Sequence, residues 1–465
     1  MNFLNEIVSQ GRRIIVDTFS GGGIERDAPF SPEIPEDLRQ WLPDLFDRFP
    51  IVFPWQKPVP VDPALHNVWI FDNTAFRTPR QGDERPDLEE VKDAKVSKPT
   101  LLEGPEGAVG PAMRPSGWEA EFVACYFIKN SGKDESKVVA GIAHALNIRD
   151  DDLATHKRIA KRVQPFIDTV LPNRTLRITM DGKEEQTLGP SSYSGISTGN
   201  HELHFDPPVP GEFKSTPVNL PPPFSIPSRT ILAEETGWSI ISDIDDTIKI
   251  TMTPDPLGIL NSTFIVEEPD PVPGMSELYA RITATLNSPP FFYLSASPYN
   301  LYPFLKQFRE KYFPPGTIIL RDASWQNLGG LITSLTNNTE EYKTSRLGRI
   351  HSWLPKRKFI CIGDSTQSDP EAYGNAARKF PGWIRAIYIR KVEGIAAMDE
   401  KTKNSQERFE KAFEGVDRNV WFVFSEPREL DRRVEELARE GDAVVGGRTL
   451  LSGVRPRPLL QAYYP

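Results

Sequence analysis

Trp238-Ser239-Ile240-Ile241-Ser242-Asp243-Ile244-Asp245-Asp246-Thr247 is the stretch on which the fold turns. An apolar run that ends abruptly in carboxylates reads as a buried strand, Trp238–Ile244, that delivers acidic groups at its carboxyl end. The pattern then recurs downstream. Met275–Leu286 reads as a helix behind Pro271 and Pro273, and Phe291–Leu294 as a second buried strand. Leu301–Tyr312 reads as a helix stopped by Pro314-Pro315-Gly316, followed by a strand over Thr317–Leu320. A helix over Thr339–Leu354, a strand over Lys358–Ile362, a helix over Glu371–Phe380 and a strand over Ile384–Ile389 complete the series. Strands alternating with helices predict an α/β fold, a parallel sheet with helices on both faces. Glu429–Arg439 reads as a late helix.

Upstream the pattern is different. Asn67–Phe71 and Trp118–Ile128 read as buried strands, the second apolar on both faces. Lys137–Leu146 reads as a helix, and Arg174–Met180 with Asp181-Gly182 as one arm of a β-hairpin. The expected organisation is an amphipathic segment (1–20), a β-rich, sandwich-like domain with long loops (40–220), a proline-rich linker (221–236), a catalytic domain (237–426), and a C-terminal helix and tail (427–465). Asp83–Gly110 is polar and charged and reads as an exposed loop. Residues 1–20 read as a helix docked on the protein, with a membrane or targeting role as the alternative.

Composition narrows the function. The chain has 465 residues with 55 Lys+Arg against 64 Asp+Glu, a net charge of −9, which argues against a duplex nucleic-acid binder. Two cysteines, Cys125 and Cys361, exclude a disulfide framework and a Cys-rich zinc site. His201 and His204 beside Asp206 are the one histidine pair, read as surface residues rather than a metal site. No apolar run reaches the ~18–20 residues of a membrane span. Proline is abundant, 44 residues, and punctuates elements in the second half while marking loops in the first.

In such sheets ligands bind beyond the carboxyl ends of the strands. The first strand ends in Asp243, Asp245 and Thr247, the second in Ser295, and the fourth in Asp364 with Asp369 close behind, while Lys343 precedes the fourth. The intervals from Asp243 to Ser295 to Lys343 to Asp364 are 52, 48 and 21 residues. Adjacent buried carboxylates call for a cation, and Mg²⁺ prefers oxygen ligands shared with phosphate. A carboxylate can attack phosphorus, and a second one two residues along can protonate the leaving oxygen. Ser295 and Lys343 would hold the phosphate oxygens, with Lys306, Lys311 and Arg321 as other candidate cations. Asp369 reads either as a ligand or as the cap of the helix after it.

This ordered set resembles the haloacid dehalogenase superfamily and implies a haloacid dehalogenase-like (Rossmannoid) catalytic domain. The resemblance implies Asp243 as nucleophile and Asp245 as general acid/base, its backbone carbonyl facing the metal. It implies Thr247 as turn support, Ser295 as phosphate binder, and Lys343 as partner of nucleophile and phosphate. Asp364 would bind Mg²⁺, with Asp369 a ligand or a support behind it. The wording around the motifs, Ile240–Lys249, Tyr293-Leu294-Ser295-Ala296-Ser297-Pro298, Glu341-Tyr342-Lys343 and Ile362-Gly363-Asp364-Ser365, is similar to the fungal actin-patch-associated phosphatidate phosphatases over roughly 235–425. Phe71-Asp72-Asn73-Thr74-Ala75 also fits that family. Ala296 departs from the polar residue that relatives often carry.

That family implies Mg²⁺-dependent conversion of phosphatidate to diacylglycerol, transient contact with membranes, endocytic or actin-patch partners, and a cytoplasmic, membrane-peripheral location. The stretch after about 425 reads as a short tail rather than the long proline-rich extension that could recruit actin-patch proteins. The competing readings are the same chemistry on a soluble or protein phosphomonoester, and a non-catalytic scaffold. Ile248–Glu268 reads as a flap over the site. Tyr299, Tyr302, Arg321 and Trp325 are candidates to line its entrance.

Overall fold

The computed structural model describes residues 57–78, 117–128, 131, 134–207, 209–220, 224–321 and 339–445. The amphipathic segment 1–20, the charged stretch 83–110, Pro221–Pro223, Trp325 and the tail after 445 therefore lie outside the described residues. The first strands are β1 (Val59–Pro60), β2 (Asn67–Ile70), β3 (Asn73–Arg77), β4 (Trp118–Ile128), β5 (Thr169–Val170) and β6 (Arg174–Met180). They are followed by β7 (Glu184–Leu188), β8 (Ile196–Leu203), β9 (Glu212–Pro217), β10 (Ser225–Ile226) and β11 (Ser228–Ala233). These eleven join in one mixed sheet whose main path is β1-β6-β9-β11-β3-β4-β2-β10. β4 organises it, pairing antiparallel with β2 and β3 as well as with β5 and β8. Its side chains are buried on both faces, as its unbroken apolar character predicts. β6 and β7 form the expected hairpin, with Asp181 and Gly182 both at positive φ as a type I′ turn requires.

The segment expected to be a linker differs from that reading: Ser228–Ala233 is a strand, parallel to β3 and antiparallel to β9. Pro227 precedes it, and the alternation Ser228, Thr230, Leu232 faces inward. Proline here starts a strand rather than stiffening a tether. Leu153–Ile167, to which the sequence reading assigned no element, is a helix started by Asp152, whose side chain accepts the Thr155 N–H.

The second sheet contains β12 (Trp238–Asp243), β13 (Phe291–Pro298), β14 (Gly316–Arg321), β15 (Lys358–Asp364), β16 (Ile384–Arg390) and β17 (Trp421–Phe424), in the order β14-β13-β12-β15-β16-β17. All five pairings are parallel. Consecutive side chains serve opposite faces. Ile240, Tyr293 and Ile360 join the helices Met275–Thr285 and Tyr302–Tyr312 on one face. Ile241, Phe292 and Cys361 join the helices Thr339–Trp353 and Asp369–Lys379 on the other. The five strands read from the sequence are all present, and β17 is a sixth. Phe71, Phe166, Tyr299 and Tyr302 belong to the same core as the first of these faces.

Candidate active site

Asp243 ends β12, and the strand order reverses around it, with β13 on one side and β15 on the other. Connections leaving in opposite directions open a crevice at the strand ends. Asp243 pairs with Leu294, so Ser295 stands one residue beyond it on β13. Ser242 pairs with Ile362, so Asp364 arrives from β15 two residues later. Sheet register alone thus gathers residues 121 positions apart.

Asp243, Asp364 and Asp369 are buried, and each offers an oxygen within 4.8 Å of the others. Lys343, fully buried, donates to Asp243 Oδ1 at 2.6 Å and also to Asp369 Oδ1. Asp243 Oδ2 is buried with no hydrogen-bond partner. Asp364 Oδ2 accepts from the Thr247 hydroxyl at 3.1 Å, and its Oδ1 from the N–H of Thr366 at 2.6 Å and from the Thr366 hydroxyl. Asp369 Oδ2 accepts the Asp364 N–H at 3.0 Å. Gly363 permits that approach: a Cβ there would lie 2.6 Å from Asp369 Cβ.

Burial, then repulsion from Asp369, holds the Asp243 carboxyl well above its usual range against the pull of Lys343. The same two causes push Asp364 up to about 6. Burial would strip the proton from Lys343, but Asp243, Asp369 and Asp364 outweigh it and keep the amine charged. One lysine facing three carboxylates leaves negative charge without a direct counter-ion. Together with the unpartnered Asp243 oxygen, this donor set fits a hard divalent cation.

A pH dependence follows. The folded Asp364 value lies above the ordinary carboxylate one, so in cation-free protein its contribution to stability is present below about pH 4 and lost as pH rises through about 6. A divalent cation held by these carboxylates would offset that loss by favouring the ionised form. Melting curves should therefore show a larger rise in Tm on adding Mg²⁺ at about pH 7.5 than at about pH 5. An equal rise at both would mean that these carboxylates do not take up the ion.

The Asp245 carboxylate lies outside this group. Its Oδ2 accepts from the hydroxyls of Ser295 (2.6 Å) and Ser297 (3.2 Å), and its Oδ1 from Thr251 (2.8 Å). Burial would raise it, but Lys249 at 3.5 Å and the Ser295 and Thr251 hydroxyls hold it below its usual range. Ser297 N–H also donates to Ser295 Oγ at 2.9 Å. Asp246 closes the following turn by accepting the N–H groups of Thr251, Met252 and Thr253. Ile248–Glu268 continues as the helix Pro256–Leu260 and a π-turn over Asn261–Ile265, with Ile259 and Phe264 buried and Ile250 and Leu257 exposed. Arg158 and Arg162, from the helix Leu153–Ile167, hold its end by donating to the carbonyls of Thr263, Ile265 and Val266.

The structure therefore brings Asp243, Asp245, Thr247, Ser295, Lys343, Asp364 and Asp369 to one sheet edge. The other candidate cations are elsewhere engaged: Lys306 on Asp72, Lys311 on Glu268, and Arg321 over the Tyr342 ring. Tyr302 does not line an entrance. It is fully buried, stacked on Phe71 at 3.7 Å, because an aromatic ring with a partnered hydroxyl gains more inside the core. His204 is held by Glu184 and His201 by Gln186, each at 2.7 Å. Asp243, Asp364 and Asp369 form the one such metal-ligand group among the described residues.

Three contributors escaped the sequence reading. Lys249 is 1% exposed beside Asp245, and its burial beneath an acidic turn leaves no periodic signal. Ser297 repeats the Ser295 hydroxyl two residues on. Arg408, in the helix Gln406–Ala412, donates to the carbonyls of Ser365 and Gln367 at 2.6 and 2.5 Å and grips Glu371 with two further bonds. It thereby braces the turn between Asp364 and Asp369. Arg408→Lys keeps the charge and loses the fork. It should weaken Mn²⁺ binding, measured by titration without substrate, about 10–100-fold.

The fold and this edge define an α/β protein that gathers carboxylates and one lysine at the carboxyl ends of a parallel sheet. Residues 238–391 match the family described as phosphatidate phosphatase APP1, catalytic domain. Phosphatidate phosphatase APP1 of Saccharomyces cerevisiae is 30% identical over 271 residues, covering 56% of this chain and 45% of that protein. An uncharacterised protein of Schizosaccharomyces pombe is 31% identical over 169 residues, covering 36% of this chain and 27% of its own length. The chain thus spans less than half the length of these curated relatives. Its resemblance to the phosphatidate phosphatase APP1 family is borne out, and the matched segment contains every site residue read from the sequence, while Arg408 lies beyond it. No helix among the described residues is long and apolar enough to cross a membrane.

Proposed function

We propose that this chain is a Mg²⁺-dependent phosphatidate phosphatase that releases diacylglycerol and phosphate through a phosphorylated Asp243. The observation that carries the reading is Asp243 itself. One carboxylate oxygen is fixed by Lys343 and the other has no partner, in a buried cluster shared with Asp364 and Asp369. In this reading the parallel-sheet portion is a haloacid dehalogenase-like domain, and the strands before it form a β-rich domain.

An Asp243 oxygen attacks phosphorus in line with the departing diacylglycerol oxygen, so the P–O bond to Asp243 forms as the ester P–O bond breaks. Asp245, ionised before substrate enters, takes the proton that a monoanionic phosphate carries in and passes it to the leaving oxygen. It then removes a proton from the water that hydrolyses the phospho-aspartate. The bonds from Ser295, Ser297 and Thr251 keep Asp245 aimed. The Lys343 amine offsets charge on the phosphoryl oxygens, and the Ser295 hydroxyl turns from Asp245 to donate to one of them once Asp245 is protonated. Asp243, Asp364, Asp369 and the Asp245 carbonyl would hold Mg²⁺, which supplies positive charge against the phosphoryl group. Thr247 steadies Asp364. The resemblance also supports a cytoplasmic, membrane-peripheral setting with possible endocytic or actin-patch partners, to be sought by proximity labelling of the tagged protein.

The test is phosphate release from short-chain phosphatidate in micelles with Mg²⁺, beside glycerol phosphate and a phosphopeptide. Turnover of phosphatidate well above the other two supports the lipid reading. Turnover of soluble esters alone removes the lipid and retains the phosphatase. No release from any substrate returns the chain to a non-catalytic role.

A further inference from the structure

Phe71-Asp72, singled out in the sequence, has no part in the chemistry above, yet Asp72 is 1% exposed and carries an unusual set of partners. Its Oδ1 accepts the Arg229 N–H at 2.9 Å. Its Oδ2 accepts from both Lys306 Nζ and Arg309 Nη2 at 2.5 Å. Its own N–H donates to the Tyr302 hydroxyl at 2.7 Å. Lys306, Arg309 and Tyr302 all belong to the helix Tyr302–Tyr312. Phe71 adds a stack on Tyr302 at 3.7 Å and 7°, and an edge contact with Tyr299 at 5.0 Å. Asn300 donates to the carbonyl of Pro165 at 2.7 Å.

These contacts converge on one short path. β13 ends in Ser295-Ala296-Ser297-Pro298, a single 3₁₀ turn over Tyr299–Leu301 follows, and the gripped helix begins at Tyr302. The two hydroxyls that aim Asp245 are thus separated from the Asp72 clamp by five to seven residues of continuous chain. A carboxylate buried with two cations is a rigid anchor: removing its charge leaves Lys306 and Arg309 only the exposed Glu310, at 3.2 and 3.7 Å, as an ionic partner among the described residues, and each bond constrains direction. The anchor sits in the two-residue link between β2 and β3, strands that belong to the other sheet and lie outside the family-matched segment.

We propose that Phe71 and Asp72 are positioning residues for the phosphate-binding turn, fixing Ser295 and Ser297 through the helix that follows them. The parallel-sheet portion alone then lacks a correctly set anion site, and the first sheet completes it. The inference rests on the phosphatase reading for its functional consequence, while its structural part is measurable without it.

The experiment uses the full chain with Asp72→Asn and, because that variant leaves two cations facing only the exposed Glu310, Phe71→Leu as a second variant with all charges kept. Hydrogen exchange of the amides of 296–301 is compared with that of 364–367, which the clamp does not touch. Mn²⁺ affinity and inhibition of short-chain phosphatidate hydrolysis by inorganic phosphate are read alongside. The expected result is exchange at 296–301 faster by about tenfold or more, with 364–367 and Mn²⁺ affinity unchanged. The phosphate inhibition constant rises about tenfold. Wild-type exchange at 296–301 in a folded variant overturns the proposal, as does Mn²⁺ affinity falling in step with phosphate affinity, which would mark general loosening. If the wild type hydrolyses nothing, the phosphatase reading fails while the exchange comparison still decides the clamp.

Discussion

Asp243→Asn is expected to abolish phosphate release, by on the order of 10⁴-fold or more, while leaving a folded protein with a higher Tm in the absence of cation. The loss follows because an amide cannot attack phosphorus. The gain follows from the pKa direction. Burial and Asp369 hold the Asp243 carboxyl well above its usual range, so its ionised form is costly at neutral pH. Asparagine has nearly the same shape as the neutral acid and carries no charge to bury. Asp369 still meets the Lys343 amine, so the variant does not strand the lysine. Parallel assays of phosphate release and thermal unfolding in EDTA check both halves. Retained activity would remove Asp243 as nucleophile, and a fall in Tm would mean that its bond to Lys343 outweighs the burial of its charge.

Lys343→Met is expected to act in the opposite direction on stability. The amine is the one group that donates to both Asp243 and Asp369, and all three are buried. Removing one partner of a buried ion pair costs about 3–5 kcal/mol, because the remaining charges have neither water nor a counter-ion. Urea denaturation in EDTA should show that loss, and saturating Mg²⁺ should recover part of it. Adding Asp243→Asn to Lys343→Met should restore stability beyond the additive sum, since the two groups share one network. An exposed-lysine result, with less than about 0.5 kcal/mol lost, would contradict the burial of the cluster.

The carboxylate edge was readable because a strand buried on both faces is an uninterrupted apolar run, and its end is marked by the first charge. Ile240-Ile241-Ser242-Asp243 and Ile360-Cys361-Ile362-Gly363-Asp364 both show it. Lys343 was readable through the wording around it. What escaped depends on distance in the chain or on masked local signals. Ser228–Ala233 looked like linker because Pro227 and the run at 221–223 dominate the local composition, while its strand partners lie elsewhere. Leu153–Ile167 does carry a helical period in Ile159, Val163 and Phe166, but Pro165 inside it is a local signal against a helix. The bonds from Asp72 to Lys306 and Arg309 cross 234 and 237 residues, and no periodicity encodes a pairing at that range. Arg408 acts through main-chain carbonyls, which are identical in every residue type, so its targets leave no trace in the amino-acid pattern.

β17 has a practical meaning for anyone wishing to move this catalytic unit into another protein. The family-matched segment ends at residue 391, but Trp421–Phe424 pairs with Ile387–Arg390 beyond it. A fragment cut at that boundary would present the bare N–H and C=O groups of β16 as a sticky seam, along with the apolar surface that Phe413 and Trp421 now cover. Such a fragment would be prone to associate with copies of itself. The smallest portable piece of the parallel sheet therefore extends at least to Phe424, and a graft designed from family boundaries alone would be too short.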